Sequence, residues 1–415
     1  MGMEIQQKKS FNLLKKTLLS KTILLITDNF MPETNASATR AWAHARIWAA
    51  KGYKVKVLTT APNFPFGKVY EGYSNKVFSK NFDCGVEIFR VWSFISENKG
   101  FFMRVLDFIS FGVTAFFVGL FIKSDKIIAS SPQFFVAFSA MAISFFKRTP
   151  WIMEVRDLWP DSIKSVGLLN DGIIFNFLKK LETVCYKSSS KIIVVTQTMV
   201  SELIKKGVSK NKIEVVYNGV KKDDYKKKHE KINLPNLEGK TILGYIGTHG
   251  MAHKLDFIIK CAANFQDKKN LHFLFVGDGS ELNNLKNQSR KLNNVTFIGN
   301  IPKSKIPSYY SLIDFSIVNL KKDDLFKGAL PSKIFESCLM LKPILLGVDG
   351  EAKTLLDKYK FGVFYEPENI EAFKKAVEEI LKKDYLDLQN SCKRVSNQFD
   401  RDILAIKMVN LIFES

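Results

Sequence analysis

No two cysteines of this chain are close enough to form a CxxC, and none is spaced with histidine in a zinc-ligating pattern. Cys84, Cys185, Cys261, Cys338 and Cys392 are scattered along 415 residues. That excludes a disulfide-stapled fold and a structural zinc module, and the five read as small buried hydrophobes in a reducing compartment. No export signal is expected either: Leu13, Leu14, Leu18 and Leu19 are broken up by Lys15 and Lys16, so no continuous apolar stretch forms. Acidic charge is scarce. Against 62 Lys and Arg there are 41 Asp and Glu, a formal charge of +21, and such an excess implies an anionic partner: nucleic acid, a membrane surface or a phosphorylated substrate. Finger spacings, an arginine-dense recognition helix and an aromatic-basic strand pattern are all lacking, which argues against nucleic acid.

Long apolar runs are also rare. Only Val105 to Ile122 (VLDFISFGVTAFFVGLFI) approaches the length of a membrane span, and Asp107 interrupts it. A spanning helix needs about 20 apolar residues and tolerates a carboxylate poorly, so this segment is expected to be a buried or membrane-skimming helix. Phe134 to Phe146 reads as a core helix, and residues 1–20 as a basic extension able to lie on an anionic surface.

What is present belongs to a packed protein: 46% hydrophobic and 25% charged residues. The chain is too long for one ordinary core, so two or three domains are expected. Short β-branched runs alternate with helical stretches throughout, the pattern of βαβ units and parallel sheets. TILLI (22–26), KVKVL (54–58), KIIA (126–129), WIMEV (151–155) and KIIVV (191–195) form a first strand series. TILGYI (241–246), LHFLFV (271–276), VTFI (295–298), FSIV (315–318) and PILL (343–346) form a second. Between them, KKDDYKKKHEKINLPNLEGK (221–240) is charged and poor in apolar residues. The expected organisation is therefore a basic extension (1–20), a first Rossmann-like domain (21–217), a linker (218–240), a second Rossmann-like domain (241–395) and a C-terminal helix (396–415). Ligands of such sheets bind at the carboxyl ends of the strands.

Five stretches in order, IIVVTQTMVSELIKKGVSKNKIEVVYNGV (192–220), LGYIGTHGMAHKLD (243–256), LFVGDGSEL (274–282), NVTFIGNIPKSKIPSYYSLIDFSIV (294–318) and LPSKIFESCLMLKPIL (330–345), resemble glycosyltransferase family 4. In the first half, residues 27–67 and EVRDLWPDS (154–162) resemble its bacterial O-antigen and capsule branch, including L-fucosamine transferases. The resemblance covers roughly residues 20–400. It implies an α/β GT-B fold, two Rossmann-like parallel-sheet domains facing across a cleft. The implied activity is transfer of a sugar, with retention, from a nucleotide sugar, UDP-linked with an N-acetylated amino sugar as candidate, to a lipid-linked oligosaccharide or polysaccharide acceptor. From the residues themselves, a cytoplasmic protein peripheral to the inner face of the membrane is expected, with an anionic membrane surface, suggested by the 105–122 segment and the basic charge, and no nucleic acid among its partners. A 2-epimerase of the same fold and a non-catalytic nucleotide-sugar-binding protein at the membrane surface remain the alternative readings.

The chemistry of each piece suits that resemblance. Gly247, Thr248, His249 and Gly250 follow a strand, where small residues let main-chain N–H groups approach a phosphate at the start of the next helix. The family's basic pair in this loop corresponds to Thr248 and His253; His249 and His253, four apart, are expected on one helix face as donors to phosphate oxygens. Leu330, Pro331, Ser332 and Lys333 open a helix with Pro331 in its first turn, free N–H groups and a cation facing an anion. Glu336 matches the second glutamate of the family's E-x7-E, which implies a bond to the donor ribose; the first falls on Gly328, with Asp323, Asp324 and Lys327 nearby as substitutes. Asp278 and the pair Asn300 and Ile301 end strands where the family grips the nucleobase through main-chain groups, with helix capping the other reading for Asp278. In the first half, Asn35 and Ser37 precede a helix expected from Thr39, with Arg40 as a charge partner for a diphosphate. Arg156 and Asp157 follow a buried strand, either as a structural ion pair or at the reaction centre. No DxD stands beside a strand and no metal-ligating set is evident, so neither a metal nor a resident cofactor is expected.

Overall fold

The computed structural model describes residues 21–96, 101–131, 134–161, 172–225, 232, 234 and 237–414. The extension read at 1–20 lies outside them. The chain divides into two compact units, Met1–Tyr217 with Asp402–Ser415, and Asn218–Arg401.

In the first unit the elements run β1 (Thr22–Ile26), α1 (Ala36–Ala50), β2 (Lys54–Thr59), β3 (Phe78–Asp83), β4 (Val86–Val91), α2 (Phe101–Phe121), β5 (Lys126–Ser130), α3 (Phe134–Lys147), β6 (Trp151–Val155), α4 (Ile173–Ser188), β7 (Lys191–Val194), α5 (Gln197–Lys205) and β8 (Ile213–Val215). The sheet order is β3-β4-β2-β1-β5-β6-β7-β8. All pairs are parallel except β3 with β4. β1 and β6 are buried along their whole length, as continuous apolar runs must be when both faces of a parallel sheet are covered. β3, β4 and β8 were not anticipated: β4 alternates charge with apolar residues (VEIFRV), and β8 has three residues.

The second unit runs β9 (Thr241–Ile246), α6 (Leu255–Ala263), β10 (Leu271–Val276), α7 (Leu282–Gln288), β11 (Val295–Ile298), α8 (Ile306–Leu312), β12 (Phe315–Asn319), α9 (Ser332–Leu339), β13 (Ile344–Gly347), α10 (Glu351–Tyr359), β14 (Gly362–Phe364), α11 (Ile370–Lys382) and α12 (Tyr385–Gln398). Its six strands are ordered β11-β10-β9-β12-β13-β14 and are all parallel. The order reverses between β9 and β12, leaving a crevice at their carboxyl ends. Its core is strongly aromatic, with Tyr245, Phe257, Phe273, Phe275, Tyr365 and Phe373 packed together.

The boundaries differ from those read in the sequence. Residues 218–240 belong to the second unit, and Leu237 packs in its core with Ile242, Ile246 and Tyr310. Residues 396–415 are not one helix: α12 ends at Gln398 and α13 (Arg401–Phe413) returns to the first unit from Asp402. There Leu404, Met408, Val409 and Ile412 join Trp48 and Val55, and the Trp48 indole donates to the Ala405 carbonyl at 2.8 Å. Four cysteines are buried as expected, but Cys84 is exposed in the tight turn joining β3 to β4.

α1 begins at Ala36, three residues before the expected start, because Asn35 caps it by accepting from the Ala38 N–H at 2.8 Å. Arg40, expected to meet a diphosphate, is instead 1% exposed. Its Nε is 2.8 Å from Glu154 Oε1, and its other nitrogens donate to the Val216 and Tyr217 carbonyls at 3.0 and 2.6 Å. Every donor group is committed inside the unit. Burial alone would raise the Glu154 carboxyl, but Arg40, His44, Arg156 and the Ser130 hydroxyl together bring it down to about 2.

Two consequences are measurable through tryptophan fluorescence, since all five tryptophans (42, 48, 92, 151 and 159) lie in the first unit. Arg40→Leu leaves a buried carboxylate without its partner and should destabilise this unit by about 3–5 kcal/mol; an unchanged denaturation midpoint would refute the pairing. Because the Glu154 carboxyl is held below its ordinary 4.5, its contribution is complete above that pH and disappears as pH falls towards 2. Fluorescence-monitored stability should decline across that window, and less so in Glu154→Gln.

Candidate functional site

At the crevice of the second unit, the loops after β9 and β10 meet through their main chains. A Cβ on Gly277 would stand 2.0 Å from the Gly247 carbonyl oxygen, and one on Gly279 would stand 2.5 Å from that of His249. Gly247 and Gly277 also hold φ of 141° and 135°, which L side chains rarely adopt. The contact is stitched by Gly247 N–H to Val276 O at 2.8 Å, His249 N–H to Asp278 O at 2.8 Å and Glu281 N–H to His249 O at 2.9 Å. Among the described residues, the Thr248 and Gly250 N–H groups have no partner.

The first residue of α9 follows Pro331, which stands at the N-cap rather than inside the first turn. From that turn Lys333 reaches Gly247: a Cβ there would be 2.4 Å from both Lys333 Cε and Nζ. The ammonium sits 5.3 Å from the centre of the Tyr245 ring. Burial lowers the Lys333 ammonium below the ordinary lysine range, with Glu336, one turn along the helix, opposing that shift. Lys333, on the first turn of α9, thus meets the loop at Gly247, whose chain neighbour Thr248, like Gly250, has an open main-chain N–H; a cation beside open main-chain donors favours phosphate oxygens.

His249 and His253 do not share a helix face. His249 lies in the loop and His253 ends a 3-10 turn (Met251–His253) that separates Gly250 from α6, so the loop does not open directly onto a helix. Both rings instead flank Tyr245, at 5.7 and 5.9 Å between centroids. His249 is fully buried, edge-on to Phe297 at 6.2 Å. Burial first, and then the charge of Lys333, push both imidazoles down to about 4, so near neutral pH both are uncharged: each keeps one ring N–H but brings no positive charge to a phosphate.

The remaining residues read from the sequence spread along the same edge. Asp278 is exposed and accepts from the Gly279 N–H at 2.7 Å; it does not cap α7, whose N-cap is Glu281. Asn300 is exposed and Ile301 half-buried in the turn beyond β11, tied to this region through Gly277 N–H to Ile298 O at 3.0 Å. Leu330 and Glu336 are half-buried and Ser332 is exposed. Two residues were passed over. Tyr245 is fully buried beneath Lys333 and donates to the Thr248 carbonyl at 2.7 Å. Asn319, 1% exposed at the end of β12, donates to the His253 carbonyl and accepts from the Tyr365 hydroxyl, both at 2.8 Å. A polar residue ending an otherwise apolar strand was the signal available for Asn319.

In the first unit, Asn35 Nδ2 donates to Asn29 at 3.1 Å, and Ser37 is half-buried in the first turn of α1. Asp157 is exposed after β6, while Arg156 donates its N–H to Ser131 Oγ at 2.8 Å and acts electrostatically on Glu154. Glu154, unremarked in the sequence, is the group that draws Arg40 and Arg156 together. No grouping of three or more His, Cys, Asp or Glu suited to a metal ion occurs among the described residues.

Comparison with known proteins separates the chain at nearly the same place. Residues 37–224 match the family described as "Glycosyltransferase Family 4", and residues 225–399 that described as "Glycosyl transferases group 1". A curated relative in Escherichia coli (strain K12), "Putative colanic acid biosynthesis glycosyl transferase WcaI", is 23% identical over 92% of this chain and 99% of its own length. Among solved structures, Anabaena Alr3699/HepE in complex with UDP and glucose superposes with a TM-score of 0.66 at 15% identity, covering 95% of this chain and 100% of that one. Sucrose-phosphate synthase from Thermosynechococcus elongatus gives a TM-score of 0.68 at 14% identity, over 94% of this chain and 98% of that one.

The state of the two imidazoles can be checked directly. Proton NMR titration of the His249 and His253 rings should show both neutral down to pH 5, with midpoints near 4, where burial places them. Midpoints at the ordinary 6.5 would contradict the enclosed aromatic setting.

Proposed function

We propose that this chain, which belongs to glycosyltransferase family 4 and has the GT-B fold, transfers a sugar from a UDP-sugar to a lipid-linked or surface-polysaccharide acceptor, with retention of configuration and without a metal ion. The observation that carries the donor half is the Lys333 ammonium resting on the bare Cα of Gly247. As the sugar–phosphate bond breaks, negative charge grows on the departing diphosphate. A cation already stripped of much of its water, beside oriented main-chain N–H groups, stabilises that charge without reorganising. Glu336 accepts from the ribose hydroxyls, and the neutral His249 and His253 hold the shape of the loop rather than supply charge. The UDP in the HepE complex supports the nucleotide assignment, and the colanic acid relative supports a polysaccharide setting. An N-acetylated amino sugar remains our candidate for the transferred group.

The lipid side of the proposal is supported by α2 and α3. Met103, Leu106, Ile109, Val113, Phe117 and Phe121 recur every three or four residues and are all exposed, an apolar stripe on the solvent face of α2. Phe145 and Phe146 at the end of α3 are 79% and 67% exposed, and Phe146 meets Phe116 at 5.9 Å. Basic residues stand beside both ends: Lys123 after α2, and Lys147 and Arg148 after Phe146, with the Lys147 ammonium bonded to the Ile122 carbonyl. Phenylalanines edged by cations suit insertion at an anionic bilayer surface. No helix among the described residues is long and apolar enough to cross a membrane.

With EDTA present throughout, the purified protein should release UDP from a UDP-sugar when given extracted lipid-linked acceptor. Lys333→Ala should lower kcat/KM by roughly a hundred- to a thousand-fold, the scale of losing one charge-stabilising donor, and Glu336→Ala should mainly raise the donor KM. Full activity in both variants would remove this site from the reaction, and loss of activity on chelation would defeat the metal-free reading. Separately, the protein should sediment with phosphatidylglycerol vesicles and much less with phosphatidylcholine. Paired Phe117→Asp and Phe121→Asp should abolish sedimentation at an unchanged melting temperature; undiminished sedimentation would discount the α2 stripe.

A further inference from the structure

The Lys333 ammonium is held in place without a counter-ion. Among the described residues it makes no hydrogen bond and no ion pair, and the Glu336 carboxylate acts on it without forming one. What it meets is a ring: the centroid of Tyr245, on β9, lies 5.3 Å from Lys333 Nζ. That ring is fully buried among other aromatic groups, with the His249, His253 and Phe275 centroids 5.7, 5.9 and 6.5 Å away. Close packing on these sides keeps its face where the ammonium lies. The face of an aromatic ring attracts a cation, and does so more strongly where water is excluded.

The other end of the same side chain is committed to the glycine loop. The Tyr245 hydroxyl donates to the Thr248 carbonyl at 2.7 Å, and burial pushes the phenol well above its ordinary range, so it stays a donor. The His249 N–H, on the same peptide unit as that carbonyl, donates to the Asp278 carbonyl at 2.8 Å. Both polar groups of the Thr248–His249 peptide are therefore pinned, and this peptide stands between the open N–H groups of Thr248 and Gly250. Phenylalanine at this position would seat the cation but leave the Thr248 carbonyl without its donor. A carboxylate in place of the ring would hold the ammonium more firmly but would repel a phosphate. Tyrosine meets both needs and adds no negative charge.

We propose that Tyr245 is a positioning residue for the donor diphosphate, its ring seating the Lys333 ammonium in place of a counter-ion and its hydroxyl fixing the peptide between two open main-chain donors. This role rests on the transferase reading above. An incoming phosphate then displaces no anion from Lys333, and it meets a loop whose central peptide is already set.

The test uses the full-length protein, with UDP affinity read by calorimetry and the Lys333 charge read by NMR titration of isotope-labelled lysine in the absence of UDP. The Lys333 signal is identified by its loss in Lys333→Met. Tyr245→Phe keeps the ring and should weaken UDP binding about threefold, the scale of one neutral hydrogen bond. Tyr245→Leu should cost roughly a further tenfold, the scale of a partly desolvated cation–π contact. In a Lys333→Met background that further loss should vanish, because the ring then has no cation to seat. The Lys333 midpoint, held below the ordinary 10.5, should stay in place in Tyr245→Phe and fall further in Tyr245→Leu. If the leucine variant does not fold, Tyr245→Phe carrying one, two or three ring fluorines replaces it: the shape is kept while the ring face weakens, so UDP affinity and the Lys333 midpoint should both fall stepwise. A midpoint unmoved or raised by loss or fluorination of the ring, or a full further loss of UDP affinity in the Lys333→Met background, would each overturn the role and leave Tyr245 as core packing. Failure of UDP to bind even the wild type would instead count against the donor assignment, while the lysine midpoint still decides whether the ring seats the cation.

Discussion

Main-chain contact without side chains sets the geometry of the second unit. Because Gly247, Gly277 and Gly279 carry no Cβ, the loops after β9 and β10 close to a distance that any other residue would prevent. In that loop the Thr248 and Gly250 N–H groups have no partner among the described residues, and the face of Gly247 is open for Lys333. The lysine in turn needs Tyr245 beneath it, and Tyr245 holds its position by bonding the Thr248 carbonyl of the same loop. The site is thus a consequence of how closely two βα turns pack at the reversal of strand order, which is where doubly wound sheets generally bind ligands.

Charge is used differently in the two units. In the first, the buried arginine and glutamate near α1 satisfy each other and carbonyl groups of the same unit, and nothing is left over for a ligand. In the second, Lys333 is desolvated while the carboxylate of Glu336 only partly offsets the cost. A cation held that way gains more from an incoming phosphate than a fully solvated one. The structural pair is mutually satisfied, whereas the Lys333 ammonium is only partly compensated.

Much of this was legible in the residues. All ten strands read from β-branched runs are present, most of them as buried, nearly continuous apolar runs of a covered parallel sheet, with β2 and β11 only partly buried. The strands that escaped notice were the ones without that signature: β3 at an edge, β4 with alternating charges, and the three-residue β8 and β14. The glycine turn and the Leu-Pro-Ser-Lys helix start were found because glycine and proline announce backbone geometry directly. Arg40 was misread because a basic residue near a glycine-poor loop looks the same in sequence whether it faces solvent or a glutamate more than a hundred positions away. The histidines were misread because a spacing of four suggests a helix face, whereas the backbone between them is extended at Gly250 and then enters a 3-10 turn that ends at His253.

By itself, then, the sequence determined the α/β class, the two sheets, the family and the backbone character of the glycine loop after β9, since these follow from local periodicity, from ordered motifs and from residues with special conformations. Only the tertiary structure decided which charges are spent and which remain available. Lys333 resting on Gly247, Glu154 neutralising Arg40, and two imidazoles made neutral by an aromatic enclosure all depend on distances between residues far apart in the chain. Burial sets the energy of a charge, and no local pattern of residues specifies burial.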